Sequence, residues 1–585
     1  MSLSSVPGNS IARRLLPFLT WSRELTQTPT LRADIVAGIT VALVLVPQSM
    51  AYAQLAGLPV YYGLYASFLP PMIAALFGSS RQLATGPVAV VSLMTAAAIA
   101  PLAAGDPSAY VAYAVLLAFM VGVLQFALGV FRLGILVDFL SHPVVIGFTN
   151  AGALIIATSQ LSKVFGVSVE AAEHHYETVW RVLQAAAQDT HLPTLGMGLF
   201  AFALMFGVKR WLPRVPGVLL AVVLTTLLSY FIGFQAAGGK VVGEIPVGLP
   251  DFVLPGFDLS AVTGLVTAAI TIALIGFMEA ISIAKAMAAR TRQRLDANQE
   301  LIGQGLSNMV SGSFSGYPVS GSFSRSAVNL NAGAVTGFSS VVSGLVVAAT
   351  LLWLTPLLYH LPQATLAAVI IMAVINLIRV APIIHAWKAV RGDGVVAVVT
   401  FTLTLVMAPH LDKGIIAGVI LSLILFMFRS MRPRFAVLSR YSDGTMRDVV
   451  VNQLPTSPKI SIVRFDGSLY FANAGYFETR ILGVVADNPE LEFLILDGEG
   501  INELDATGEE VLHHLAERLR AQGVTLLVAR MKKQFMDTIR RTGLIEVIGP
   551  EHFFSRLTYA LNYAWDQLGD RYDRTTCPLR NPLSG

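Results

Sequence analysis

Tyr317–Asn331 reads YPVSGSFSRSAVNLN, and the reading of this stretch decides the fold. Ser320, Ser322, Ser324 and Ser326 crowd around Arg325, with Gly316 and Gly321 close by, yet both flanks are apolar. A guanidinium among hydroxyls does not belong in lipid. Irregular backbone at membrane depth is tolerated only where protein or water surrounds it. A short helix starting near Ser320–Gly321 points free N–H groups and the positive end of its dipole at whatever lies in front. Arg325 adds a charge that is not lost by deprotonation. The occupant that fits is an anion. The competing reading is an ordinary polar loop between two spans, with Arg325 at lipid headgroups.

Composition makes the membrane setting firm. Of 585 residues, 54% are hydrophobic and 13% charged, with a mean hydropathy of +0.65. Soluble domains carry about 25% charged residues, and apolar runs of about 20 residues recur along this chain, enough to cross a bilayer as helix. The formal charge of +4 is too small to suggest a nucleic-acid partner. Cys577 is the only cysteine, which excludes an internal disulfide and a thiolate metal site. The first thirty residues, with Arg13, Arg14 and Arg23, run amphipathic and carry no pattern of a cleaved signal peptide.

Spans are expected near Ile35–Ala53, Tyr62–Phe77, Pro87–Ala100, Tyr110–Phe131, Pro143–Leu161, Leu195–Val208 and Val218–Phe234. A second set follows near Ala261–Ala286, Gly303–Phe314, Gly321–Leu330, Gly337–Tyr359, Ala364–Ile378, Val395–Ala408 and Ile415–Phe428. Between the fifth and sixth, Glu170, Glu173, His174, His175 and Glu177 lack a clear ligand spacing and read as a solvated loop with a short surface helix. With the N-terminus inside, inner loops hold Arg81, Arg132, Lys209, Arg210, Arg214, Lys285, Arg290, Arg292, Arg294, Arg379, Lys388 and Arg391. Outer loops hold only Lys163, Arg181, Lys240 and Lys413. That asymmetry follows the positive-inside rule and sets both termini in the cytoplasm. The domains expected are a cytosolic segment 1–30, a membrane domain 31–434 and a cytosolic tail 435–585. In the tail, strand-length runs at Ile460–Phe465, Phe493–Leu496 and Val524–Val528 alternate with helical patterns at Tyr476–Ala486, Gly508–Gln522, Lys532–Thr542 and Phe553–Leu568. This is the pattern of a small α/β domain, and a fragment from about Asp443 to Asp570, expressed alone, is expected to fold as a soluble domain of this kind.

Two interrupted segments occupy matching places in the halves. Gly78–Ser92, GSSRQLATGPVAVVS, breaks at Thr85–Gly86–Pro87 and resumes as helix, with Pro87 at the first helical position. Ser315–Ser326 breaks at Tyr317–Gly321. Paired Gly/Pro breaks in an inverted repeat point to a transporter site at the midplane. About forty residues before each break lies a span with a polar insertion. Val46–Gln54, VPQSMAYAQ, puts Gln48 and Tyr52 on one helix face. Ala273–Ala288, ALIGFMEAISIAKAMA, puts Glu279 in an apolar run with Ser282 one turn on. An intramembrane carboxylate is functional by default; the structural alternatives are a Glu neutralised by a neighbour and an interhelical hydrogen bond from Gln48 or Tyr52.

PVYYGLYASFLPPMIAALFGSSRQLATGPVAVVSLM, FMEAISIAKAMA and SGSFSRSAVN closely resemble the sulfate permease (SulP) family of anion transporters and exchangers, over about Leu31–Leu568. LDATG at Leu504–Gly508 resembles the loop of the STAS domain that ends such chains. The resemblance implies an α-helical polytopic membrane protein of about fourteen spans, a seven-plus-seven inverted repeat with a core domain holding the anion and a gate domain facing a second subunit. It implies substrate positions at Gln48, Tyr52, Gly86, Pro87, Val88, Gly321, Ser322, Phe323, Ser324 and Arg325, and a coupling acid at Glu279 with Ser282 beside it. Proton-coupled members carry an acid at this place and sodium-dependent bicarbonate members tend to an Asp, so Glu279 favours H+, with Na+ as the other coupling ion. The STAS loop in bacterial anti-sigma antagonists carries a phosphorylated Ser, a position taken by Thr507; the alternative is that Thr507 caps the helix starting at Gly508.

The expected function is secondary transport of sulfate or a similar small inorganic anion across a bacterial-type inner membrane, by alternating access and with no cofactor. Its partners are the lipid bilayer and a second copy of the chain. A bicarbonate or C4-dicarboxylate transporter, and an exchanger or channel, are the alternatives on the same scaffold. No nucleophile elbow, metal pair or nucleotide loop suggests an enzyme.

Overall fold

A computed structural model describes residues 16–135, 141–170, 172–211 and 216–580. Arg13, Arg14 and Arg214, positions 1–15 of the N-terminal segment and 581–585 of the tail lie outside the described residues. One compact unit ends at Ser422 and a second begins at Leu423.

In the first unit, α1 (Thr28–Leu55) and α2 (Tyr61–Phe77) lead to a short strand, β1 (Ala84–Gly86), and then α3 (Ala89–Ala103), α4 (Pro107–Val130) and α5 (His142–Ser159). An amphipathic helix, α6 (His175–Asp189), precedes α7 (Leu192–Trp211) and α8 (Gly217–Phe231). The second half repeats the plan. α9 (Leu259–Thr291) and α10 (Ala297–Ser313) lead to β2 (Ser320–Ser322), followed by α11 (Phe323–Asn331), α12 (Phe338–Ala349) and α13 (Gln363–Val374). Amphipathic α14 (Ala381–Ala389) then precedes α15 (Arg391–Met407) and α16 (Leu411–Met431), within which the first unit ends. Among the described residues, seven helices are long and apolar enough to cross a membrane: α1, α4, α5 with its extension to Phe165, α7, α9, α12 with its continuation to Leu358, and α16. The shorter apolar helices α2, α3, α8 and α13, with α10, α11 and α15, bring the spans to the fourteen of a seven-plus-seven repeat.

Some helix starts are set by side-chain caps. Asp106 accepts from Ser108 N at 2.9 Å at the head of α4, where Pro107 fills the position that needs no N–H. Asp258 caps α9, and Asp296 caps α10 by accepting from Asn298 N at 2.9 Å. These caps explain why both helices begin before the apolar run does. The expected span from Gly303 starts at Ala297, because Asn298–Gln304 face protein rather than lipid. α4 and α10 pack backbone to backbone: a Cβ on Gly122 would stand 2.4 Å from Met309 N, and one on Gly305 2.4 Å from Phe126 N. Close approach through small residues is how helices associate where lipid removes the hydrophobic drive.

The second unit holds a six-stranded sheet: β3 (Arg434–Arg440), β4 (Met446–Asp448), β5 (Ile460–Asp466), β6 (Phe493–Asp497), β7 (Thr525–Ala529) and β8 (Phe553–Phe554), in the order β4-β3-β5-β6-β7-β8. β4, β3 and β5 pair antiparallel and β5 to β8 parallel. Strand side chains alternate between two cores, as a period of two requires. Val463, Phe465, Leu494 and Leu496 pack with α17 (Ala474–Ala486), α18 (Ala506–Ala521) and α19 (Lys533–Thr542). Ile460, Ile462, Phe493 and Ile495 pack with α20 (Leu557–Leu568) and with Cys577 and Leu579, so the chain beyond α20 returns over the sheet. Fully buried Asp497, at the end of β6, accepts from Arg530 Nε at 2.9 Å. Burial pulls the Arg530 guanidinium down, but the carboxylates of Asp497 and Glu499 outweigh it and hold the group above its ordinary value.

Three expectations for the tail need correction. β3 and β4 precede the first strand read from the sequence, so a fragment from Asp443 to Asp570 lacks β3 and the returning segment. Phe553–Leu568 is not one helix: β8 takes Phe553–Phe554 and α20 starts at Leu557. Thr507 does not cap α18. Asp505 does, accepting from Gly508 N at 2.7 Å, and Thr507 sits exposed in the first turn.

Candidate functional site

The two breaks meet. β1 and β2 pair antiparallel, with Ala84 opposite Ser322, Thr85 opposite Gly321 and Gly86 opposite Ser320. Each strand feeds directly into a helix whose N-terminus is thereby fixed beside the pairing. α11 starts later than the serine pattern suggests: Ser320–Gly321 is strand, and Ser322 is the cap, its Oγ 3.5 Å from Arg325 N. α3 starts at Ala89 after extended Val88, so Pro87 lies ahead of the helix rather than at its first position. Ser326 Oγ accepts from Ala84 N at 2.9 Å and locks α11 to β1.

Arg325 is fully buried. Its Nη1 donates to Gln48 Oε1 across a long 3.5 Å, while Nε and Nη2 have no hydrogen-bond partner. No carboxylate makes an ion pair with it among the described residues. Gln48 and Tyr52, both 5% exposed, share a face of α1 just beyond Pro47. Gly86 adopts φ +149°, and a Cβ there would stand 3.2 Å from Arg325 Nη2. A larger residue would both strain the backbone and crowd the guanidinium. Pro87, Val88, Gly321 and Ser322 are buried, whereas Phe323 and Ser324 are exposed, with Ser324 Oγ 3.3 Å from Ser322 Oγ. Gln48, Tyr52, Gly86 and Ser322 therefore come together around one cationic group, while Phe323 and Ser324 stand outside it.

Glu279 and Ser282 stand differently. α9 packs on β2 through Gly276, whose carbonyl accepts from Ser320 Oγ at 2.6 Å, and through Ala280, whose Cα would lie 3.1 Å from a Cβ on Gly321. At about 100° per residue, Glu279 falls on the flank of that contact, half-buried and without an ion pair to Arg325; Ser282 falls farther round and is exposed.

One stripe went unread in the sequence. Glu300, Gln304, Asn308 and Ser311 repeat at helical spacing on one face of α10, all buried. Glu300 Oε2 accepts from Ser79 N and Ser80 N, each at 2.9 Å, just before β1. Gln304 Nε2 donates to Thr85 Oγ1 at 2.9 Å within β1 and to Glu300 Oε1 at 3.3 Å. Asn308 accepts from Val319 N at 2.8 Å and donates to Val319 O at 3.0 Å, just before β2. Ser311 Oγ donates to Tyr317 O at 2.7 Å. A single helix thus holds both breaks by their backbones. The signal was present as polar residues four, four and three apart in ANQELIGQGLSNMVSGS.

Residues 31–400 match the sulfate permease family and 452–560 the STAS domain. The chain is 36% identical over 564 residues to sulfate transporter 4.1, chloroplastic, of Arabidopsis thaliana, covering 93% of this chain and 81% of that one. It is 35% identical over 535 residues to a probable sulfate transporter of Mycobacterium tuberculosis, covering 91% and 95%. Among solved structures, the murine solute carrier 26 family member A9 anion transporter in its inward-facing state superposes with a TM-score of 0.87 at 25% identity, covering 96% of each chain. With the family match spanning most of the membrane unit and relatives aligned almost end to end, this chain is a member of the sulfate permease family, an integral membrane protein with a C-terminal STAS domain.

Proposed function

We propose that this protein is a secondary transporter of sulfate or a similar small oxyanion, working by alternating access and driven by a proton gradient. One observation carries the reading: Arg325 is wholly buried with Nε and Nη2 unpaired, where two helix N-termini converge. A buried charge without partners is costly, and a planar guanidinium matches two oxygens of an oxyanion at once. A bound anion supplies the missing acceptors, with Gln48, Tyr52 and the N–H groups heading α3 and α11 completing the shell. The sulfate transporters among its relatives favour sulfate. Glu279, on the helix that packs against β2, is the acid assigned to proton coupling. The Arg- and Lys-rich connections favour cytoplasmic termini, and a dimer in a bacterial-type inner membrane is part of the same reading. Thr507, exposed in the first turn of α18, is kept as the candidate for regulation.

Counterflow in proteoliposomes tests the substrate. Labelled sulfate, bicarbonate and succinate are compared with pH and sodium gradients imposed separately. We expect sulfate to exchange and to accumulate only with the pH gradient. Accumulation of bicarbonate with sodium alone would reverse both assignments.

A further inference from the structure

The membrane unit holds a polar cavity, of about 240 Å³, whose lining shares no residue with the paired breaks. It lies at the ends of α5, α7 and α13 that face away from the Arg-rich connections. Lys163 and Lys240 line it, with Ser162, Ser168, Thr194 and Gln363. Half of the four cations assigned to the sparsely charged outer loops thus meet in one hollow, although 77 positions separate them in the sequence. Their convergence is built rather than incidental. His191 Nε2 bonds Ala237 O at 3.0 Å and its Nδ1 bonds Thr194 Oγ1 at 2.7 Å, while its backbone N–H reaches Phe165 O at 3.0 Å. Gln363 N donates to Lys240 O at 3.0 Å, fixing the other wall to the head of α13. Four separate connections are thereby tied into one frame.

The frame holds two like charges without offsetting them. Among the described residues, neither Lys163 nor Lys240 makes an ion pair or a side-chain hydrogen bond, and no carboxylate lines the cavity. Glu170, one residue beyond the lining, is exposed and pairs with neither. Among the described residues, the hydroxyls of half-buried Ser162 and exposed Ser168 also make no hydrogen bond, leaving them able to donate. Cations sharing a hollow repel one another unless an anion intervenes, and ammonium and hydroxyl groups are suitable donors to a tetrahedral oxyanion. None of Gln48, Arg325, β1 or β2 contributes to this lining.

We propose that this cavity is a second anion site, built for a sulfate- or phosphate-type oxyanion, free in solution or carried on a lipid headgroup. It is separate from the Arg325 site. An anion held there ties the connections before α7, α9 and α13 together, so occupancy at the outer side stiffens the helices beside it.

Equilibrium dialysis of labelled sulfate against the purified full chain in phosphatidylcholine nanodiscs tests it. The wild type is expected to bind two sulfates. Lys163→Gln/Lys240→Gln should bind one, with the Arg325 site unchanged; Lys163→Arg/Lys240→Arg, which keeps both charges, should bind two. Arg325→Ala should also retain one, now the lysine site. Repeating the measurement with phosphatidylglycerol separates the sources: loss of the second sulfate there assigns the cavity to lipid phosphate, and its persistence assigns it to the free anion. A wild type that binds one sulfate in both bilayers, or a glutamine pair that still binds two, overturns the proposal. An Arg325→Ala protein that binds two would instead overturn the reading of the paired breaks.

Discussion

At the scale of single residues, Arg325 concentrates the argument. Its guanidinium is buried, points two N–H-bearing nitrogens at no protein acceptor, and is approached by Gly86, where a side chain has no room. We expect Arg325→Ala to weaken sulfate binding by roughly ten- to a hundredfold, the loss of about 1.5–3 kcal/mol that a hydrogen bond to a charged group contributes. Size-exclusion chromatography should find the variant folded. Arg325→Lys should fall between, because an ammonium keeps the charge and loses the planar fork. Native affinity in Arg325→Ala would remove this residue from the site. The importance of Arg325 is readable in the sequence, since hydroxyls, glycines and a fixed charge in an apolar setting admit few explanations. The exposure of Ser282 is not, because helical spacing places it near Glu279 but cannot say which side of α9 meets β2.

At the scale of elements, the central device is α10, a helix whose polar face does the work that lipid-facing helices leave to apolar contact. It grips the chain before β1 through Glu300, within β1 through Gln304 and before β2 through Asn308. The two breaks are therefore positioned by one support rather than two. Gln304→Ala leaves Thr85 Oγ1 without its buried donor, a defect of about 1–3 kcal/mol. We expect it to lower thermal stability and to raise the KM for sulfate several-fold, with the maximal rate less affected. Thr85→Val should act in the same direction, and the double variant should cost clearly less than the sum, since both remove the Gln304–Thr85 bond. Strict additivity, measured in KM, would separate α10 from the site. The fourteen spans were legible in hydropathy except where polarity served packing: α10 extends six residues earlier than its apolar run because its N-terminal turns bond protein. The strand β3 and the edge strand β4 beside it were missed for a different reason. In RFAVLSRYSDGTMRD the apolar run Phe435–Leu438 is only four residues long and β4 only three, so pairing is what reveals them: β3 with β5, and β4 with β3.

At the scale of the whole molecule, the chain divides into a membrane unit and a sheet domain that are stabilised by different physics. The sheet domain has cores on both faces, one of which needs β3 and the segment to Leu579. We therefore expect residues 432–580 expressed alone to unfold cooperatively by circular dichroism, and 443–570 to be unfolded or aggregated. A folded shorter fragment would mean that β3 and the returning segment are dispensable. The membrane unit raises the question of drive, which the proposed proton coupling assigns to Glu279. It sits half-buried on α9, the helix that contacts β2 through Gly276 and Ala280, and among the described residues no cation pairs with it. An anion bound beside β2 repels a carboxylate on that helix, so binding the anion favours protonation of Glu279. Linkage makes the effect reciprocal: protonation raises anion affinity by the same factor. A proton gradient directed inward then loads the site outside, where protons are plentiful, and empties it inside, where they are scarce. Lowering external pH should stimulate sulfate uptake by the wild type with sodium absent. Glu279→Gln, which resembles the protonated acid at every pH, should still bind and exchange sulfate but lose the response to the gradient. Uptake against an imposed pH gradient, measured for both proteins, distinguishes the cases. A Glu279→Gln protein that still concentrates sulfate would place the coupling proton elsewhere. A wild type indifferent to pH and responsive to sodium would show that Glu279 carries no coupling proton, because the electrostatic cycle described here has no step for a second cation.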